Sequence, residues 1–352
     1  MPMFYIHQTS CISPQQTFDS VDISVLHQPV EHKLKVIEPV ATGIPMGTLR
    51  RMSKAVRMGV MAALPLLQDG TEPAGIIIGT ANAGMEDCFY FLKQMVDYNE
   101  GLLTPGNFVQ STPNALASQL SMLKQNHGYN ITHVHLGLAF ENAMTDAGMM
   151  IKENPRNNYL LGAVDDIPSY NYILNSLAGW FKKEPFALED LYTLQTPGSI
   201  AGEGTAMFLV NGNPEDAIAQ LRAVETIHTE EEEAVKQRLK YFLEKNLING
   251  EEIDVLITGE NGDSRLLHYY LACEEMMPHT TGIARFKHMC GEYPTATAMA
   301  LWLGCYILQK NPVPSHIIKK SFSKKNCKTI LIYNNYKGGQ HSFILLSVPG
   351  CF

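Results

Sequence analysis

The stretch NITHVHLGLAFENAMTDA, residues 130–147, runs from a short strand into a helix with almost no loop between them. The strand NITHVHL carries no acidic or Lys/Arg charge and reads as buried. From about Leu138 to Ile151, Phe140, Ala143, Met144, Ala147, Met150 and Ile151 form a broad apolar helical face with few wet positions. Such a unit belongs deep inside a layered α/β protein. The turn between strand and helix holds His133, Val134 and His135. On a strand, residues 133 and 135 point to the same side. Two such histidines could ligate a metal, yet no third ligand stands at a recognisable spacing, so they read as hydrogen-bonded core or pocket residues.

Working outward, buried strands alternate with buried helices. AGIIIG (74–79), NYLLGAV (158–164), TAMFLV (205–210), DVLITG (254–259), TILIYN (329–334) and FILLSV (343–348) read as strands bounded by Gly, Asn or Asp. Several are apolar on both faces, as a sheet covered by helices on each side requires. Thr112 with Pro113 reads as a helix start, Leu116, Leu120 and Leu123 share that helix's face, and His127-Gly128 ends it. Thr229 with Glu232 has the capping-box spacing before Val235, Leu239, Phe242 and Leu243, and that helix is expected to stop at Asn249-Gly250. Gly338-Gly339 supplies a turn between the last two strands. The two parts echo one another, with a boundary near 228: an N-terminal half over 1–228 and a C-terminal half over 229–352.

The length, 352 residues, suits two domains or one domain of two similar halves. With 45% hydrophobic residues and 18% charged, a sizeable core is available. A formal charge of −8 argues against nonspecific nucleic-acid binding. The one basic cluster, Lys319, Lys320, Lys324 and Lys325, reads as a solvated loop. Seven scattered cysteines, Cys351 among them, make neither a CxxC nor a visible disulfide framework, and Met1–Ser13 lacks the pattern of a signal peptide. No apolar run is long enough to span a membrane. A reducing cytoplasm is the expected setting. GTANAG (79–84) follows a strand but lacks the middle glycine of a dinucleotide fingerprint and the Gly-Lys-Ser/Thr of a P-loop, and no GxSxG elbow occurs. No cofactor is expected.

The order of segments resembles the β-ketoacyl-acyl-carrier-protein synthases, whose fold is thiolase-like. TLRRMSKAVRMGVMAA (48–63) is similar to the family's early helix, and GTANAGMED to its GTGxGGxE turn. LTPGNFVQSTPNALASQLSMLKQNHGYNIT (103–132) is similar to the stretch entering the nucleophile strand, and IAGEGTAMFLV (200–210) to VxGEGAxxLVL. IDVLITGENGD (253–263), FKHMCGEYPTATAMALWLG (286–304) and YNNYKGGQHSFILL (333–346) stand where the family has its two histidine motifs and its glycine-rich closing strand pair. The resemblance spans nearly the whole chain. It implies two similar βα halves in a layered α-β-α-β-α core.

The departures fall where the family does its chemistry. A thiolate at a helix start attacks an acyl thioester there, and two histidines support the enolate formed on decarboxylation. By this resemblance the nucleophile position falls on His133, or on Val134 if the register slips by one, and the histidine positions fall on Asn261 and Glu292. Lys337 stands near the gate position. His135 and Cys290 are further pocket candidates. An ionised Glu292 opposes a developing negative charge, so the condensing mechanism is lost. Chain length factors keep this fold, lose the nucleophile and pair with an active synthase. HxHLGxAFENA with GEYPTA is also similar to synthase-like proteins of aryl polyene and flexirubin clusters. The resemblance therefore implies a noncatalytic, chain-length-factor-like subunit of fatty-acid or polyketide-type biosynthesis. Its partners would be an active synthase or a second copy, and an acyl carrier protein. Two readings stand beside it: an acyltransferase or thioesterase using His133, Glu292 or Cys290, and a stand-alone acyl-binding homodimer. In the implied dimer NITHVHL lies along the two-fold axis and LTPGNFVQSTPN reaches towards the partner.

Overall fold

The computed structural model describes residues 3–40, 44–68, 70, 72–248, 250–324 and 326–350. Met1, Asn249, Lys325 and Cys351, named above, lie outside these. In chain order the strands are β1 Phe4–Ile12, β2 Lys33–Leu34, β3 Gly75–Gly79, β4 Tyr129–His133, β5 Tyr159–Asp165, β6 Ala201–Gly202 and β7 Gly204–Asn211. They continue as β8 Ala219–His228, β9 Val255–Thr258, β10 Gly282–Arg285, β11 Ile318–Lys320, β12 Thr329–Tyr336 and β13 Gln340–Ser347. The first helices are α1 Met46–Leu49, α2 Lys54–Ala63, α3 Met85–Asp97, α4 Pro105–Gln110, α5 Ala115–Lys124 and α6 Ala139–Glu153. The others are α7 Ser169–Leu177, α8 Glu232–Asn246, α9 Leu267–Glu275, α10 Lys287–Cys290 and α11 Thr297–Leu308.

All strands except the short β2–β6 ladder form one sheet, ordered β11-β10-β9-β12-β13-β8-β1-β7-β5-β3-β4. That order is the same pattern twice: β1-β7-β5-β3-β4, then β8-β13-β12-β9-β10. In each half the three strands farthest from the join run parallel, and the two nearest it pair antiparallel. The halves meet where Phe4–Ile6 pair with Leu221–Ala219. Strand order begins the second repeat at Ala219 rather than after 228, because β8 pairs along its length with β13 and over only three residues with β1.

Alternating side chains divide the sheet into faces. Ile77, Leu161, Phe208, Val255, Ile257, Ile332 and Ile344 share one core with Phe140, Ala143, Met144 and Ala147 of α6 and with most of α11. Their neighbours Ile76, Ile78, Leu160 and Met207 turn the other way, onto α2 and α5. Leu256, Leu331, Phe343 and Leu345 turn onto α8 and α9. The layers are therefore α2/α5, the first half-sheet, α6/α11, the second half-sheet and α8/α9. The central pair explains the apolar sequence of α11, in which every residue except Tyr306 is buried. No helix among the described residues is long and apolar enough to cross a membrane.

Both helix starts expected from sequence shift. The Thr112 carbonyl accepts the Ala115 N–H and the helix begins at Ala115. Its C-cap is Gln125, left-handed at φ +51°, ahead of His127-Gly128. Thr229 is held by the sheet: its N–H donates to the Gly339 carbonyl and its carbonyl accepts from His341. Its hydroxyl accepts the Glu231 N–H, so no capping box forms and α8 starts at Glu232. The basic cluster is partly spent within the chain, since Lys319 pairs with Glu260 and Glu274, and Lys324 with Asp254.

Candidate functional site

The pocket lies where the start of α6 faces the loops after β9 and α10 and the β12–β13 turn. Its lining includes Leu136, Asp166, Tyr172, Trp180, Phe181, Asn261, Asp263, Glu292, Tyr293, Tyr336 and Lys337, around about 220 Å³. The strand β4 ends at His133, and Leu136 is left-handed at φ +49° as the chain swings into a 3₁₀ turn and then α6. Non-glycine residues adopt that conformation only where the surroundings impose it. Here they do: the Gly137 N–H donates to Gln340 Oε1 at 2.9 Å, and a Cβ at Gly137 would lie 2.3 Å from that of Tyr336.

This turn presents Leu136 to the pocket and corrects the expected register. His133 Nε2 bonds to Asp146 Oδ2 at 2.9 Å, and His135 Nδ1 to Asn142 at 3.0 Å. Both histidines thus lie against one side of α6, and neither lines the pocket. Val134 is exposed. Among the described residues no group of three or more His, Cys, Asp or Glu is placed to hold a metal ion.

Asn261 and Glu292, far apart in sequence, do meet. Asn261 Nδ2 donates to Glu292 Oε2 at 2.7 Å, and the fully buried Lys287 donates to Glu292 Oε1 at 2.8 Å. Backbone bonds fix the rest: the Glu292 N–H donates to the Ile200 carbonyl and the Gly202 N–H to that of Glu292. Asn261 Oδ1 accepts the Asp263 N–H, so neither side chain swings freely. Lys337, left-handed at φ +54°, donates to Asn175 Oδ1 at 2.6 Å, and burial pulls its pKa down against the pull of Glu292.

Cys290 belongs to the central core rather than to the pocket. Burial pushes its thiol up to about 12, and the carbonyls of Gly291, at 3.4 Å, and Phe286, at 3.8 Å, are its hydrogen-bond acceptors. It is therefore no nucleophile at neutral pH. Of His133, Glu292 and Cys290, the alternatives for an acyltransferase or thioesterase, only Glu292 lines the pocket.

Sequence reasoning missed Leu136, Lys287 and Asp166. Asp166 follows β5 directly, at the carboxyl end of a buried strand, where open α/β sheets bind ligands. Its neighbour Asp165 is saturated by Thr80, Ala81, Asn82 and Thr295. Burial with the charges of Asp165 and Glu203 raises the Asp166 carboxyl to about 7, against the smaller pull of Lys54 and of its own backbone N–H.

No lining side chain among the described residues is a thiol, an aliphatic hydroxyl or an imidazole. Its ionisable side chains are the carboxyls of Asp166, Asp263 and Glu292, the Lys337 amine and the phenols of Tyr172, Tyr293 and Tyr336.

No family model matches the sequence, and no curated protein matches it. Solved structures do. A β-ketoacyl synthase from Burkholderia phymatum STM815 superposes with a TM-score of 0.76 at 12% identity, covering 99% of this chain and 100% of that one. A ketosynthase in complex with its chain length factor from Xenorhabdus doucetiae gives 0.72 at 14%, over 99% and 98%. The ishigamide ketosynthase/chain length factor gives 0.72 at 15%, over 99% of both chains. Over essentially its whole length, this chain has the thiolase-like fold of the ketosynthases and their chain length factors.

Proposed function

We propose that this chain is a noncondensing, chain-length-factor-like subunit of fatty-acid or polyketide-type biosynthesis that works beside an active ketosynthase and its acyl carrier protein. The observation that carries the reading is the pocket itself. Leu136 occupies the turn at the helix start, and Glu292, ion-paired to Lys287, occupies the place expected for a histidine. A carboxylate there disfavours the negative charge of a decarboxylating malonyl group, and a leucine cannot be acylated. The aryl polyene or flexirubin assignment rests on the HLGLAFENA and GEYPTA patterns alone.

Partnership is supported by an uncovered apolar face. The 13-residue helix α3 buries none of its side chains and exposes Leu92 and Val96. Phe108 and Val109 of α4, Val134 beyond the sheet edge at β4, and Leu177 of α7 are likewise exposed. Exposed apolar side chains on the neighbouring α3, α4 and α7 suit an interaction surface. Incubation with acyl- and malonyl-carrier protein should leave no covalent acyl adduct and no ketoacyl product. Coexpression with a ketosynthase should give a heterodimer whose product length differs from that of the synthase alone. A stable adduct or autonomous condensation contradicts the reading.

A further inference from the structure

We propose that Tyr192, His288 and His316 form a one-way hydrogen-bond relay, a latch between α10 and the loop at Ile23 that acid releases. The contacts are continuous. The Tyr192 hydroxyl meets His288 Nδ1 at 2.9 Å, His288 Nε2 meets His316 Nδ1 at 2.9 Å, and His316 Nε2 meets the Ile23 carbonyl at 2.8 Å. These residues come from four segments far apart in sequence: Ile23 follows β1, Tyr192 precedes β6, His288 lies on α10, and His316 lies in the 3₁₀ turn before β11. None of them lines the pocket described above.

The last acceptor decides where every hydrogen sits. A carbonyl only accepts, so His316 carries a hydrogen on Nε2. Neutral His316 then has a bare Nδ1, and His288 donates to it from Nε2. His288 in turn has a bare Nδ1, which accepts the Tyr192 hydroxyl, while the Tyr192 oxygen takes the His288 backbone N–H at 3.0 Å. Each ring nitrogen and the phenol are thus satisfied with both imidazoles neutral. One added proton breaks the order. On His316 Nδ1 it faces the N–H of His288. If His288 moves its own hydrogen to Nδ1, that hydrogen faces the Tyr192 hydroxyl, which then loses its acceptor. Either way one buried bond is lost.

The surroundings add to that cost. Burial, then the neighbouring His316 and Arg285, holds His288 down to about 3. The Arg285 guanidinium lies 3.9 Å from the centre of the Tyr192 ring, and its counter-ion Glu260, at 3.5 Å, is also paired with Lys319. The Cys290 thiol is the remaining titratable group acting on Tyr192. Burial lowers His316 against the pull of the Ile23 carbonyl, and Asp22, beside Ile23, is bonded to Ser24. A histidine whose folded pKa is depressed binds its proton more readily once released. The latch is therefore complete above about pH 6.5 and weakens as pH falls below it. It holds α10 on one side while Lys287, the residue before His288, is held by Glu292 on the other. Ile23 also lines a groove of about 840 Å³ with Pro314, so the latch joins two segments of that wall.

The test uses the full chain labelled with 15N-histidine. At about pH 8 the ring nitrogen spectra should show His288 and His316 both as Nε2–H tautomers, assigned by the signals lost in His288→Gln and His316→Phe. An Nδ1–H tautomer at either residue would overturn the relay. Amide hydrogen exchange, corrected for the intrinsic rate at each pH, should show opening at 22–24 and 315–318 rising up to about thirtyfold between about pH 8 and pH 5, while α11 stays protected. That ratio is the one expected for an ordinary imidazole of about 6.5. His316→Phe should remove the pH dependence. Opening that does not change with pH, or a folded His316→Phe that keeps the dependence, would overturn the proposal. If the variants do not fold, the wild-type exchange decides: a rise confined to these segments supports the latch, and its absence overturns it.

Discussion

Replacing Glu141 by Gln should stabilise the protein in alkaline solution and do little in acid. Glu141 stands in the first turn of α6, fully buried, and neither carboxylate oxygen has a hydrogen-bond partner. The Ser342 and Thr297 hydroxyls and the more distant Lys287 favour its ionised form, yet burial outweighs them and lifts the carboxyl from 4.5 to about 7. A carboxyl whose folded pKa is raised holds an extra proton in the folded state. Its contribution is complete below the unfolded value, declines as pH rises and is lost above the folded one. The displacement corresponds to about 3 kcal/mol at full ionisation, an upper figure because denatured chains are not fully solvated. Gln keeps the shape without the charge. Urea unfolding of both proteins should therefore give a stability difference near zero at about pH 4 and about 2–3 kcal/mol in favour of the variant at about pH 8. A difference that does not change with pH, or that reverses in sign, would refute the reasoning.

Lys287→Met should cost about 3–5 kcal/mol in chemical denaturation, because it strips the cation from buried Glu292, and adding Glu292→Gln should recover much of the loss. Cys290 should resist iodoacetamide in the native protein at neutral pH and react once unfolded, as peptide mass spectrometry would show; rapid native labelling would contradict its burial. Val96→Asp or Leu177→Asp should abolish association with a coexpressed ketosynthase in native mass spectrometry while leaving the melting temperature unchanged, since both side chains are exposed in the free chain. Ile131→Asp should also break the dimer, but Ile131 packs partly on the core, so some loss of fold stability should accompany it.

The strands legible in the sequence were those whose burial is apolar on both faces, such as GIIIG and YLLGAVD. β8 escaped because its polar residues find partners far along the chain. Gln220 bonds to Ser347, Arg222 to Glu251 and Glu225 to Arg238, and none of these pairings leaves a local pattern. β1 escaped similarly, its FYIHQTSCI mixing apolar and polar residues while pairing with β7 and β8. Of the site, the meeting of Asn261 and Glu292 was foreshadowed by motif order. The turn was not, because which side chain enters the pocket depends on where β4 stops and on the positive φ of Leu136. A shift of that kind is a backbone property invisible in residue types. Lys287 was hidden for another reason: a buried lysine reads as a surface residue until its carboxylate partner is known.

The changes at the pocket depend on one another physically. Lys287 is fully buried and needs a counter-charge, which Glu292 supplies. A neutral imidazole in place of Glu292 would leave that ammonium unpaired in the core, and a charged one would face a like charge. Asn261 in turn donates to Glu292, so its amide is committed to holding the carboxylate rather than to an incoming carbonyl. The pair also acts on Lys337, whose ammonium form Glu292 favours against burial. A thiol introduced at Leu136 would gain the start of α6, but no imidazole among the described residues lines the pocket with it. On the proposed reading, condensation would therefore not be restored by one substitution. The backbone bonds of Glu292 to Ile200 and Gly202 hold the loop after α10 against β6, and so fix one wall of the pocket.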